Sequence, residues 1–308
     1  MMLLALSLLL SLIAVPGVSR LTTALHDEFH NPPARGAYEV ASEFYPVSTL
    51  DPTDARVWAV WPVSNTSGEA FPMVSYNHGA GAGGMAILGY TALFEQIASY
   101  GVIVIATLSC SLGCSGGQWY GEAYAAEQRK VIKWARAMAA DPPADMPWAS
   151  TLDFRNGSGI AGHSMGGEST GINARREFAA PLGIRAAVLH QAAILGAADG
   201  ALISIPSQHM TGTDDSGSPP GGIGRQIIYD AAPGPKAFRN QEGQGHMEPV
   251  LIGPVNNPAL GPFLAHWMRV YLQGDTGLSY EALFGNGPSS FCRYAEMEHC
   301  ELRPNRTI

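Results

Sequence analysis

Residues 38–45 and 56–63 alternate or cluster β-branched and aromatic side chains as half-buried strands do, and no helical period lies between them. The pair predicts an antiparallel lead-in. From residue 71 onward two periods take turns: apolar runs at 73–77, 102–108 and 159–162 are strand-like, whereas 90–99 and 122–140 repeat their apolar positions in the helical manner. The alternation continues through a helix from about residue 166, strands at 184–190 and 205–211, a helix at 223–231, a strand at 236–241 and an amphipathic helix at 259–273. Strands interleaved with helices in this way predict a doubly wound, mostly parallel α/β sheet with helices on both faces. Asp141-Pro142-Pro143 stops the long helix, because proline cannot donate the next backbone hydrogen bond, and Gly101 closes the helix before it. Only about a dozen residues separate the strands at 184–190 and 205–211, which leaves no room for a lid domain there and predicts an open cleft.

Composition narrows this picture. With 46% hydrophobic and 14% charged residues the chain can bury a substantial core, and no linker-like run divides it, so residues 20–308 are read as one domain. Residues 1–15 are almost unbroken apolar sequence, followed by the small residues Gly17 and Ser19, which predicts a secretory signal over 1–19 and an extracellular or periplasmic protein. The run is short for a bilayer span, but it lacks a basic n-region, so an uncleaved anchor is the alternative. Four cysteines in two close pairs, Cys110 with Cys114 and Cys292 with Cys300, suit local disulfides in an oxidising compartment; buried free thiols are the other reading. Their spacing does not suit zinc, and no metal or other cofactor is expected. A net charge of −8 without a run of Lys or Arg argues against nucleic acid or an anionic membrane as partner. No obligate protein partner is expected, and the chain is read as a monomer.

Chemistry enters at Gly162-His163-Ser164-Met165-Gly166, which follows an apolar strand and opens a helix. This is the context of a nucleophile elbow, where a serine on a tight strand-to-helix turn needs glycine two residues to either side, because side chains there would collide. A second match, Gly113-Cys114-Ser115-Gly116-Gly117, lies in a loop several residues beyond its strand and is rejected. A serine hydroxyl also needs a base, and in chains of this order the acid and then the histidine follow the serine. Of nine histidines, six precede the acid candidates, His266 lies within a helix and His299 beside a cysteine. His246 remains, in a glycine-flanked loop after the strand at 236–241. The acid should leave the strand at 205–211, where Asp214 and Asp215 both qualify; the distance from Gly212 and Pro219 favours Asp215, with Asp214 able to exchange roles. Donors for an oxyanion are expected from the backbone N–H groups of Met165 and Ala80, the latter in the Gly-rich loop 77–84, which lacks the Lys-Ser/Thr ending of a phosphate loop.

Gly-His-Ser-Met-Gly-Gly at 162–167, Ser-Tyr-Gly-Val-Ile-Val-Ile at 99–105 and the C-terminal cysteine pair together resemble the lidless cutinase and polyester-hydrolase branch of the α/β-hydrolases. There is some similarity to chlorophyllase-like and platelet-activating-factor-acetylhydrolase-like esterases, and the resemblance spans roughly residues 71–300. It implies an α/β-hydrolase fold and an ester substrate, cleaved through an acyl-enzyme by Ser164, Asp215 and His246, with Ala80 and Met165 as oxyanion donors. Substrate contacts are expected at His163, Trp119 and Ile194. Ala80 replaces an aromatic frequent in that branch, and residues 190–194 lack a Trp frequent there, so aromatic polyesters fit less well; Trp119 and Tyr120 are candidates to replace both, or to pack in the core. A lipase, a serine peptidase and an inactive binding scaffold are the competing readings.

Overall fold

The computed structural model describes residues 35–117, 121–193, 195–216, 222–251, 253–287, 290–294 and 297–303; the expected signal at 1–19 and the side chains of Trp119, Tyr120 and Ile194 lie outside them. The strands are β1 (Glu39–Pro46), β2 (Arg56–Val63), β3 (Met73–Asn77), β4 (Ile103–Thr107), β5 (Ser158–His163), β6 (Ile184–His190), β7 (Ser207–Asp214), β8 (Lys236–Gly245) and β9 (Met297–Arg303). They form one sheet in the order β1-β2-β4-β3-β5-β6-β7-β8-β9. Strands β3 to β8 run parallel, and β1, β2 and β9 pair antiparallel. The helices are α1 (Thr91–Ser99), α2 (Glu122–Ala140), α3 (Met165–Asn173), α4 (Arg176–Leu182), α5 (Ala197–Leu202), α6 (Gly222–Ala231), α7 (Gly253–Asn256), α8 (Leu260–Met268) and α9 (Leu278–Phe284).

Alternation along single strands explains the layers. On β2, Val57 and Ala59 join a cluster with Ile103, Ile105, Val131 and Trp148, whereas Trp58 and Val60 join another with Val104, Phe94 and Phe263. Successive side chains of a strand point to opposite faces, so both faces of the sheet are buried, one against α1 and α8 and the other against α2. A third cluster, with Ile160, Leu189 and Ile228, continues the core beneath β5, β6 and α6. Residues buried on both faces have no reason to alternate in polarity. That is why β4 reads as an unbroken apolar run.

The sheet order reverses at β3, which has β4 on one side and β5 on the other. Chains leaving the C-terminal ends of β3 and β5 therefore diverge to opposite faces and leave a crevice between them, where ligands bind in open α/β sheets. Several elements differ from expectation. Helices α4, α5, α7 and α9 are shorter than the periods that sequence patterns resolve, β8 runs on to Gly245, and the expected helix at 259–273 changes to a π turn at Arg269–Gln273 that ends on Gly274. Among the described residues no helix is long and apolar enough to cross a membrane. Both expected disulfides are present, Cys110 with Cys114 and Cys292 with Cys300.

Candidate active site

Ser164 stands between β5 and α3 with φ +55° and ψ −116°, a left-handed backbone that costs a non-glycine residue strain. The turn is tight enough to need its glycines: a Cβ on Gly162 would lie 2.2 Å from the Gly166 carbonyl oxygen, and one on Gly166 would lie 1.9 Å from that of Asn77. The Ser164 N–H donates to His190 C=O, and its own C=O accepts from Ala193 and Glu168 N–H, so the turn is bound to the end of β6 and to α3. The projected hydroxyl lies over the reversal of the sheet.

Asp215 and His246, the expected acid and base, are brought together by the pairing of β7 with β8. Asp214 is paired with Gly245 across an irregular register, so the next residues, Asp215 and His246, leave adjacent strands side by side. Gly212 permits the approach, since a Cβ there would lie 2.1 Å from the Gln244 carbonyl oxygen. His246 must still reach β5, three strand spacings or roughly 14 Å away. The segment after β8 turns back over the strand ends, with Glu248 N–H donating to Gly245 C=O and Leu251 N–H to Gly89 C=O. His246 Nε2 then stands 2.8 Å from Ser164 Oγ, and its Nδ1 stands 2.9 Å from Asp215 Oδ1. Asp215 is fully buried, with Thr211 Oγ1 donating to its other oxygen, while Asp214 is exposed. Burial strengthens the Asp215–His246 interaction, and the Nδ1–H bond leaves Nε2 free to accept a proton.

Ala80 lies exposed in the loop after β3, and Met165 begins α3. Neither N–H is taken up by another group among the described residues. The loop overhangs the elbow: a Cβ placed on Gly79 would be 3.4 Å from Ser164 Cβ. It is pinned from the other side, where Gly81 N–H donates to Ser111 C=O and Gly83 N–H to Ser111 Oγ, and where the His78 ring lies between Gly79 C=O and Ser109 C=O. The Met165 side chain packs beneath, in a buried cluster with Cys110, Cys114 and Tyr124. Ser115, in the rejected motif, gives its N–H and hydroxyl to Asp51 at 2.8 Å each and has no histidine hydrogen-bonded to it among the described residues. Asp51, Cys110 and Cys114 lie close enough to share an ion, but both sulfurs are committed to a disulfide.

His163, expected to touch substrate, is instead buried behind the elbow. Its ring is bonded to Tyr90 Oη and to the His246 carbonyl, and burial with the nearby His246 lowers its pKa to about 3, so it is neutral. The motif places His163 next to Ser164, but its contact with Tyr90 joins residues 73 apart in the chain, which no local pattern marks. A second group the sequence does not reveal is a buried ion pair just beyond His246. Arg239 Nη2 meets Glu248 Oε1 at 2.8 Å, with Gln191 and Asn257 also donating to the Glu248 carboxylate. Gln191 has φ +39° and its N–H donates to Met210 C=O, which ties this pair to the ends of β6 and β7. Glu168, one turn into α3, is buried, and burial and then the neighbouring Asp199 raise its pKa to about 7.

Folding also gathers three arginines that are far apart in sequence. Arg136, Arg155 and Arg185 surround an open cleft of about 560 Å³ with Gly157 and Gly183. This cleft lies before the first residues of β5 and β6, at the opposite ends of those strands from Ser164. A search against models of protein families finds no match to the chain, and no curated protein is significantly similar to it.

Proposed function

We propose that the chain is a secreted carboxylic ester hydrolase of the α/β-hydrolase fold, of the lidless cutinase and polyester-hydrolase type. The observation that carries this reading is the hydrogen-bonded series from Ser164 Oγ through His246 to buried Asp215, held at the strand ends where the sheet order reverses. In the first half-reaction Ser164 Oγ attacks the ester carbonyl carbon while His246 Nε2 takes the hydroxyl proton. Asp215 keeps the imidazole in the tautomer that accepts it and stabilises the imidazolium that results. Negative charge collects on the carbonyl oxygen, toward which the Ala80 and Met165 N–H groups are proposed to point. Collapse of the tetrahedral species passes the proton from His246 to the departing alcohol and leaves the acyl group on Ser164. Water repeats the sequence to release the acid and restore the serine.

Two features support an ester that is bulky or poorly soluble. Between β6 and β7 the chain inserts only the six-residue α5 and short connections, too little to form a lid. Five exposed large apolar side chains, Met85, Leu88, Leu112, Met247 and Leu251, lie on the segments that flank the oxyanion loop and His246. The disulfides and the apolar residues 1–15 support secretion. The test is a panel of chromogenic esters of rising acyl length, one amide and a polyester film, run on the wild type and on Ser164→Ala. Ester turnover and fluorophosphonate labelling should both vanish in Ser164→Ala, while Ser115→Ala keeps them. Labelling that survives in Ser164→Ala sinks the assignment, and amide turnover above ester turnover favours a peptidase.

A further inference from the structure

We propose that Tyr90 and His163 form a positioning relay that holds the oxyanion loop and the His246 loop in register with Ser164. Its catalytic consequence rests on the hydrolase reading of Ser164. The relay has three bonds. Gly79 N–H donates to Tyr90 Oη at 2.9 Å, Tyr90 Oη lies 2.8 Å from His163 Nδ1, and His163 Nε2 lies 2.7 Å from the carbonyl oxygen of His246.

Their direction is forced by chemistry. A carbonyl can only accept, so His163 Nε2 must carry a proton and donate it to His246 C=O. The neutral ring then has Nδ1 left as an acceptor, and that acceptor must take the tyrosine hydroxyl proton. Tyr90 Oη is thereby free to accept from Gly79 N–H, which can only donate. Every donor in the series has one acceptor and the orientation cannot reverse. Because burial keeps His163 uncharged down to about pH 3, the arrangement persists across the range in which esterases are assayed.

The two ends of the series are backbone groups beside reacting ones. Gly79 N–H belongs to the residue before Ala80, so fixing it limits rotation of the peptide that presents the Ala80 N–H. The His246 carbonyl belongs to the base itself. The middle, His163, precedes the nucleophile. Tyr90 is held rigidly for this role: it stacks on Phe94 with ring centroids 5.5 Å apart and planes 10° apart, and it is fully buried. In such surroundings a deleted hydroxyl leaves two buried partners, Gly79 N–H and His163 Nδ1, without their hydrogen bonds. A pair that served only stability would have no reason to end on the oxyanion loop at one side and on the base at the other.

The test compares Tyr90→Phe, His163→Gln and His163→Asn with the wild type and with Tyr271→Phe, which removes a buried hydroxyl that has no partner among the described residues. Rates on a short-chain nitrophenyl ester are normalised to sites titrated with a fluorophosphonate, and inhibition by an arylboronic acid reports the tetrahedral state. Tyr90→Phe should lower kcat per titrated site by about 10- to 100-fold, with KM nearly unchanged and boronate affinity falling in parallel. His163→Gln, whose amide nitrogen can replace Nε2 but not Nδ1, should behave like Tyr90→Phe. His163→Asn, which can replace only Nδ1, should slow labelling of Ser164 instead, because the base is what it releases. Tyr271→Phe should leave kcat as it was. A Tyr90→Phe enzyme within about twofold of wild type per titrated site, or one altered only in KM, overturns the relay. If Tyr90→Phe does not fold, the two His163 variants decide by the same criteria. A nitrogen NMR measurement on the labelled wild type needs no activity: His163 should be neutral with its proton on Nε2 at about pH 5. A protonated ring or an Nδ1–H tautomer overturns the relay even if the enzyme is active. A wild type that shows the expected tautomer but neither labels nor hydrolyses refutes the hydrolase reading alone.

Discussion

Glu168→Gln should stabilise the protein above neutral pH and leave it unchanged in acid. The carboxyl sits in the first turn of α3 with one oxygen, Oε2, buried and without a partner among the described residues. Burial and then Asp199 raise its pKa from 4.5 to about 7, while Gly121 N–H opposes them. A helix N-terminus also favours an anion, but by only about 0.3–1 kcal/mol, less than the burial it opposes. Below pH 4.5 the group is protonated in both folded and unfolded chains and has no effect on stability. Between 4.5 and about 7 the unfolded chain loses the proton and the folded one keeps it, so stability falls as pH rises; above about 7 the full penalty applies. A shift of that size corresponds to roughly 3 kcal/mol at most, and partial hydration near the surface reduces it to about 1–2 kcal/mol. Glutamine fills the same volume without the charge. Its melting temperature should therefore exceed that of wild type by roughly 2–8 °C at pH 8, with the two curves meeting below pH 4.5. Calorimetry across that range is the assay. Parallel curves, offset equally at every pH, would refute the assignment of the shift to Glu168.

Asp215→Asn should lower kcat on a short-chain ester by several orders of magnitude, on the order of the 10⁴ seen when the equivalent acid of another triad is changed, whereas Asp214→Asn, altering an exposed side chain, should cost less than about tenfold. Reversed effects would move the acid to Asp214. Glu248→Gln leaves the Arg239 guanidinium buried without its counter-charge and should destabilise the protein by about 3–5 kcal/mol in urea unfolding; a loss below about 1 kcal/mol would show that the pair is not what holds this region. Replacing Cys292 and Cys300 with alanine opens a short loop and should cost about 2–3 kcal/mol in the chain-entropy picture, read from the same kind of unfolding curve. No change there would mean that β9 stays paired to β8 without the crosslink.

The sheet was legible because its central strands are buried on both faces and its longer helices repeat their apolar positions over several turns. Residues 56–63, 73–77, 122–140 and 184–190 match the observed β2, β3, α2 and β6 at both ends. What pattern could not resolve is physical in origin. Helix α4 has seven residues and includes Pro181, and α5 has six, too few turns to display a period. Strand β9 reads Met-Glu-His-Cys-Glu-Leu-Arg. Its charges suit an edge that must not recruit another chain, and they hide the strand from any search for apolar alternation.

Within the site, the split between legible and hidden residues follows the range of the interactions that set them. Ser164 was readable because its constraint is local: a left-handed turn that two glycines must flank. His246 could be found by elimination, since order along the chain excluded most histidines. The choice between Asp214 and Asp215 is different in kind. Neighbouring residues at a strand end face opposite ways, and which one turns inward depends on the irregular pairing that sets Asp214 against Gly245, a relation between β7 and β8 that neither strand carries in its own sequence. His163, expected to touch substrate, is buried for a similar reason. Its neighbours in sequence are Ser164 and a glycine, yet its surroundings are Tyr90, 73 residues earlier, and the His246 carbonyl, 83 residues later. A histidine beside a reactive serine can face the cleft or its foundation, and the decision lies with residues distant in the chain. Tyr90 could have been suspected only by asking where a tyrosine hydroxyl on the apolar face of a helical run, with Leu93, Phe94 and Ile97, would find its partner once buried, because a buried hydroxyl without one is costly. That question, applied to each polar group on an apolar face, recovers long-range contacts that periodicity cannot.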